Sequence, residues 1–139
     1  MDEVTLRHAP PSEEARIARM VNAYLDEMGI AAPIARASVP LYWRQPSRVP
    51  FLVLADGAVA GFALVRDTGE GFLGLAEFSV LPGWRDRGIG AMAAALVFAQ
   101  FPGPWRLKAV PKAERFWRRQ LAGRGARELG GGWFAFNAP

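Results

Sequence analysis

Two stretches of this chain hold residue types that could do chemistry. The first is RDRGIGA, Arg85 to Ala91, in which two glycines one residue apart follow arginines and precede an apolar run. Backbone without Cβ atoms lets amide N–H groups approach a ligand closely, and a helix starting there adds the positive end of its dipole. That combination suits an anion, either a nucleotide diphosphate or a nucleic-acid backbone; the plain alternative is a tight strand-to-helix turn that binds nothing. The second is GLAEFSV, where Glu77 is the only acid among apolar neighbours. Burial there would raise its pKa into the range where a carboxyl exchanges protons near neutrality. Turned to solvent or paired with an arginine, it would be an ordinary strand residue.

Other readings of the same residues fail on spacing. Gly88, Gly90 and Ala93 satisfy G-x-G-x-x-A, but the dinucleotide fingerprint begins directly after a strand and is followed about twenty residues later by an acid for the ribose. Here seven residues separate Val80 from Gly88, and the later neighbourhood reads Lys108-Ala109-Val110. No G-x-x-x-x-G-K-[ST] triphosphate loop occurs. With no cysteine and a single histidine, His8, there is no disulfide framework and no cysteine nucleophile, and no metal site is expected. The N-terminus MDEVTLRHAP opens on acids, and the longest uncharged apolar run, Ile89 to Phe101, is shorter than the roughly 18 residues of a membrane span. A soluble, cytoplasmic protein is the expectation. The net charge of +4 hides an asymmetry: residues 1–83 hold seven Lys and Arg against ten Asp and Glu, residues 84–139 ten against three. The basic half could attract nucleic acid, surround a small polyanion, or form a solvated surface.

The elements that must position these residues alternate between strand and helix. At 139 residues, 51% of them hydrophobic, the chain is long enough for one packed core, so a single domain over 1–139 is expected. VTLRHA reads as a strand. PPSEEARIARMVNAYLDEMG reads as a helix capped by Ser12 and stopped at Gly29, with Ile17, Val21, Tyr24, Leu25 and Met28 buried. Four prolines between Ile30 and Pro50 predict a loop-rich segment with one short helix around Leu41 to Arg44. FLVLA and VAGFALV, joined by Asp-Gly, predict a hairpin, and GFLGLAEFSV a third strand. Ile89 to Gln100 is apolar on every side and predicts a helix covered by other elements. WRLKAV is a strand, KAERFWRRQLAG a basic amphipathic helix with Ala113, Phe116, Trp117 and Leu121 inward, and GWFAFNA a final strand.

Arg85, Gly88 and Gly90 spell R-x-x-G-x-G, after a strand ending SVLP and before a helix, with A-E-R-F-W-R-R about twenty-five residues further on. In these motifs the chain resembles the GNAT superfamily, the acyl-CoA-dependent N-acetyltransferases, and the resemblance spans most of its length. It implies an α/β (α+β) GNAT acyl-CoA N-acyltransferase fold: a mixed, mostly antiparallel sheet of six to seven strands, about four helices, and a splay between the fourth and fifth strands. It further implies acetyl-CoA as cofactor, with the amides of Arg85, Arg87, Gly88, Gly90 and Ala91, at the start of the Ile89 helix, cradling the pyrophosphate. Phe78, Ser79 and Val80 would pair with the pantetheine arm, Phe116 would lie beside it, and the Val80 N–H would polarise the thioester carbonyl. Glu77 takes the place of the general base that frees the amine for direct attack in a ternary complex.

The chain departs from the family pattern at two places. Val110 stands where an asparagine is common, and Trp117 where a tyrosine protonates the leaving thiolate; indole cannot do this, so Trp117 reads as packing, and either the thiolate leaves unassisted or takes a proton from water, or Tyr24 or Tyr42 reaches the site, or activity is weak. Arg115, Arg118, Arg119 and Arg124 are candidates for the CoA 3′-phosphate. The resemblance sets the acceptor near LYWRQPSRVP and GGGWFAFNAP, which makes Tyr42 and Trp43 substrate-binding candidates, with Trp133 beside them. The partner expected is a small-molecule or peptide amine, without nucleic acid or membrane; a homodimer stays open. Two rivals remain: a CoA-binding domain of weak or no activity, and a nucleic-acid-binding module.

Overall fold

The computed structural model describes residues 2–139. The long apolar strands pair into one seven-stranded sheet, ordered β1-β2-β3-β4-β5-β7-β6. Its strands are β1 (Val4–His8), β2 (Arg48–Ala55), β3 (Ala58–Asp67), β4 (Leu73–Val80), β5 (Gly103–Lys108), β6 (Arg127–Gly130) and β7 (Trp133–Ala138). The predicted Asp-Gly hairpin forms, with φ of 51° at Asp56 and 83° at Gly57 joining β2 to β3. Every pairing is antiparallel except β4 with β5, whose parallel crossover runs through a helix, as parallel strands require.

Four helices cover the two faces: α1 (Glu14–Glu27), α2 (Pro33–Ser38), α3 (Ile89–Gln100) and α4 (Glu114–Leu121). Ile17, Met20, Val21 and Leu25 of α1 pack on Leu52, Phe62 and Leu64 of the sheet. On the opposite face α3 and α4 bury Ala94, Val97, Phe98, Trp117 and Leu121 against Trp105, Leu107 and Phe136. Strand alternation therefore sorts each side chain to one of two cores.

Several local expectations are corrected. Ser12 makes no capping hydrogen bond; it lies in a 3-10 turn, Pro11–Glu13, that precedes α1. The segment 30–50 holds α2 and a 3-10 helix over Val39–Trp43, because Pro33 enters at the first turn, where a missing N–H costs nothing. Helix α3 is not covered on every side: Ala95, Leu96 and Ala99 face outward, with Leu96 38% exposed. The edge strand β6 lies in RELG, a segment whose residues are all exposed and show no apolar alternation.

Candidate functional site

Strands β4 and β5 pair only at Leu73–Trp105 and Gly74–Arg106, and beyond that point they separate. β4 continues to Val80 against β3 alone. The Leu81 N–H donates to the Ala60 carbonyl at 2.8 Å, which makes Gly61 and Val80 a non-hydrogen-bonded pair. Strand alternation then turns the backbone N–H and C=O of Val80, and likewise of Phe78, toward the gap left by β5. An edge of unpaired strand inside a sheet is a place for an extended ligand to add.

The gap leads to the α3 loop. Arg85 to Gly88 turn the chain with φ of 62° at Asp86 and 76° at Gly88, and α3 begins at Ile89 with no side-chain cap. Among the described residues no acceptor takes the N–H of Ile89, Gly90 or Ala91. The two glycines serve different ends. Gly88 has open space around its missing Cβ and is needed for its left-handed backbone; a Cβ on Gly90 would stand 3.1 Å from the Phe116 ring and 3.6 Å from Val80 Cγ2. A cavity of about 490 Å³ joins these parts, lined by Ser79, Val80, Gly88, Gly90, Ala91 and Phe116 among others. Free amides, a helix dipole and close backbone approach fit a diphosphate.

A β-bulge decides which way Glu77 points. Leu64 pairs with Glu77 but Val65 pairs with Leu75, so Ala76 is an extra residue. Leu75 packs into the α3–α4 core, and without the bulge Glu77 would follow it there; the insertion turns Glu77 to the α1 face. Burial pushes its carboxyl up to about 7. Glu77 lines a second cavity of about 510 Å³, with Leu107, Ala109, Gly131 and Gly132 on the far lip. Tyr24, Phe78 and Trp117 line both cavities, so one cleft runs through the splay. The Tyr24 hydroxyl is pushed up to about 12, by burial first and then by the carboxylates of Glu77 and Glu27.

The structure brings most of the expected residues together and sets some aside. Glu77, Phe78, Ser79, Val80, Arg85, Gly88, Ile89, Gly90, Ala91 and Phe116 all line the cleft. The Arg85 side chain turns back into the protein: Nε donates to the Val80 carbonyl at 2.9 Å and the fork grips Glu27, one arm at 2.7 Å. Its amide donates to the Pro82 carbonyl at 3.4 Å instead of standing free for a cradle. The Arg87 guanidinium pairs with Asp2 at 2.8 Å and lies over Trp84, outside the cleft lining. Trp117 is 6% exposed and packs edge-on against Phe78 at 5.3 Å, a core residue. Among the arginines proposed for a phosphate, Arg119 lines the loop side, whereas Arg118 is held by Glu114 and Glu128 and Arg124 lies over Phe98.

Tyr42 and Trp43 line neither cavity of the cleft. The 3-10 helix carrying them packs on α1 and the β2–β3 face, where Tyr42 is 5% exposed and the Trp43 indole donates to the Ala9 carbonyl at 3.0 Å. Sequence reasoning missed the bulge at Ala76 and the inward turn of Arg85. Neither leaves a signal in residue type, since the bulge depends on register with β3 and the turn of Arg85 on Glu27 of α1.

A splayed β4–β5 pair, a bare-amide helix start at its end and a carboxyl at its opening define an acyl-CoA-type transferase architecture. Consistent with that class, the family model for the acetyltransferase (GNAT) family matches residues 17–122, and the chain belongs to this family. No curated protein matches it by sequence. Among solved structures it is similar to a GNAT-family acetyltransferase from Staphylococcus aureus Mu50, with a TM-score of 0.76 and 12% identity, covering 99% of this chain and 100% of the other. A GNAT-family acetyltransferase from Brucella melitensis, in complex with acetyl-CoA, gives 0.71 at 18% identity, covering 99% and 89%. The aminoglycoside acetyltransferase AAC(6')-Ib, in complex with ribostamycin and coenzyme A, gives 0.71 at 18%, covering 98% and 94%. At these identities the likeness is one of fold.

Proposed function

We propose that this protein transfers an acetyl group from acetyl-CoA to a primary amine by direct attack in a ternary complex. The observation that carries the reading is the continuity of donors: the β4 N–H groups of Phe78 and Val80, which no strand pairs, run toward the free amides of Ile89, Gly90 and Ala91. When bound, acetyl-CoA supplies an acyl group activated as a thioester. Ile89, Gly90 and Ala91 hold its diphosphate, the Phe78 and Val80 backbone its extended arm, and Phe116 packs beside it. The Val80 N–H is the donor available to an acyl oxygen. Arg85, anchored on Glu27, fixes the end of β4 by holding the Val80 carbonyl.

Glu77 takes the amine's proton. A base with a pKa of about 7 is half ionised at neutral pH and strong enough to accept a proton directly or through one water. Tyr24, protonated at neutral pH like any tyrosine, has its hydroxyl pushed up further to about 12. Raised above a tyrosine's ordinary 10, Tyr24 is a poorer proton donor than an unperturbed tyrosine and serves as a hydrogen-bond donor in the cleft. Turnover then lacks a dedicated general acid, which lowers rate without stopping the reaction.

The test couples binding to turnover. Acetyl-CoA should raise the melting temperature, and a panel of primary amines should contain substrates that release CoA. Absence of any stabilisation by acetyl-CoA and CoA overturns the reading; stabilisation with no acetylated product across the panel leaves a CoA-binding domain instead.

A further inference from the structure

The cleft continues past Glu77 along the α1 side of the sheet. A third cavity, of about 570 Å³, shares Leu75, Ala76 and Lys108 with the Glu77 cavity. Its floor is one row of the sheet: Arg48 pairs with Arg66, Arg66 with Gly74, and Gly74 with Arg106. Residues in register share a face, so Arg66 and Arg106 stand roughly 10 Å apart across a glycine that puts no side chain between them. Gly74 is not there for lack of room, since a Cβ would meet nothing nearer than 3.8 Å. Lys108, paired with Trp133 across β5–β7, stands beside them.

Among the described residues these cations have no partner acid. Six arginines elsewhere form ion pairs (Arg16, Arg36, Arg44, Arg85, Arg87 and Arg118), but among the described residues none is formed by Arg66, Arg106 or Lys108. Arg106 is instead held in place over the Phe72 ring at 4.3 Å. Glu70 is the single acid on this cavity's wall. Like charges gathered on one sheet face repel, and an anion seated between them relieves that cost.

Resting on the acetyl-transfer reading, we propose that the acceptor carries a carboxylate as well as its amine, with Arg66, Arg106 and Lys108 binding the anion while the amine lies at Glu77. Leu64 stands opposite Glu77 and Arg66 lies two residues further along β3 on the same face, so Glu77 and Arg66 are diagonal neighbours roughly 8 Å apart. That spacing fits a short ω-amino acid or a dipeptide. The same charges disfavour polycations such as polyamines.

A matched series tests this: 5-aminopentanoate, pentylamine and 1,5-diaminopentane differ only in the charge of the far end. Calorimetric titration of the CoA-saturated protein should show 5-aminopentanoate binding at least tenfold more tightly than pentylamine, with the diamine weakest. Arg66→Gln with Arg106→Gln should bring the first ratio below about threefold. Gly74→Val, which fills the floor and keeps both cations, should do the same. Both arginines stand outside the buried core, so an unchanged melting curve shows that each variant folds. Equal binding of the three amines, no binding of 5-aminopentanoate at 10-fold the pentylamine range, or a preference that survives the double substitution overturns the proposal. Selective binding without acetylated product upholds the anion site and removes the acetyl-transfer reading. Acetylation of pentylamine as fast as of 5-aminopentanoate does the reverse.

Discussion

Glu77 owes its chemistry to one inserted residue. The bulge at Ala76 turns it away from the α3–α4 core, yet enough protein surrounds it to push its pKa up to about 7. Glu77→Gln keeps the shape and removes the base, so kcat should fall about 10²-fold or more while CoA affinity stays within a factor of two. In the parent protein kcat/KM should rise with pH through about 7, as the carboxylate form accumulates, and this limb should vanish in the variant; steady-state rates from pH 5.5 to 9 check it. The same shift has a stability consequence. Burial favours the neutral acid, so the folded state binds the proton more tightly than the unfolded chain. Glu77 then costs nothing below the ordinary value of 4.5, costs more as pH rises, and reaches its full cost above about 7. That cost is on the order of 3 kcal/mol. Glu77→Gln should therefore melt higher than the parent at pH 8 and within error of it at pH 4.

At the scale of elements, the α3 loop joins two requirements that residue types alone do not separate. Gly88 needs φ of 76°, where an L side chain costs about 1–2 kcal/mol. Gly90 needs space, because Phe116 stands against it. Gly88→Ala should thus lower the melting temperature by a few degrees and leave CoA affinity largely intact. Gly90→Val should displace Phe116 and weaken CoA binding at least tenfold, with a smaller effect on melting; titration calorimetry and thermal melts separate the two. R-x-x-G-x-G was legible because its glycines and arginines are consecutive in the chain. The destination of Arg85 was not, because Glu27 is 58 residues away and reaches it only when α1 packs beside the end of β4.

Across the whole molecule, the sheet keeps two jobs apart. Strand alternation assigns Phe78 and Val80 to the α3–α4 side and Glu77 and Ser79 to the α1 side, so under the proposed function cosubstrate and acceptor would approach from opposite faces of one opening. A ligand that bridges the splay should stabilise both halves: at about 100 times its Kd, CoA should add about 2.7 kcal/mol, or a rise in melting temperature on the order of 10 °C. Differential scanning fluorimetry against CoA concentration reads this directly. No helix among the described residues is long and apolar enough to cross a membrane.

The chain's local patterns determined the strand meander, the Asp-Gly hairpin, the limits of α3 and the loop before it, since each depends on neighbours within a turn or a strand. α2 and β6 were harder to read: a six-residue helix entered by proline and a wholly exposed edge strand carry little periodic signal. Tyr42 and Trp43 looked equally fit for a core or a site, and only packing sent them to the core. Tertiary structure alone decided the bulge that aims Glu77, the length of β4 left unpaired and the row of arginines around Gly74. Each of these is a relation between strands, and strand register leaves no trace in either strand taken by itself.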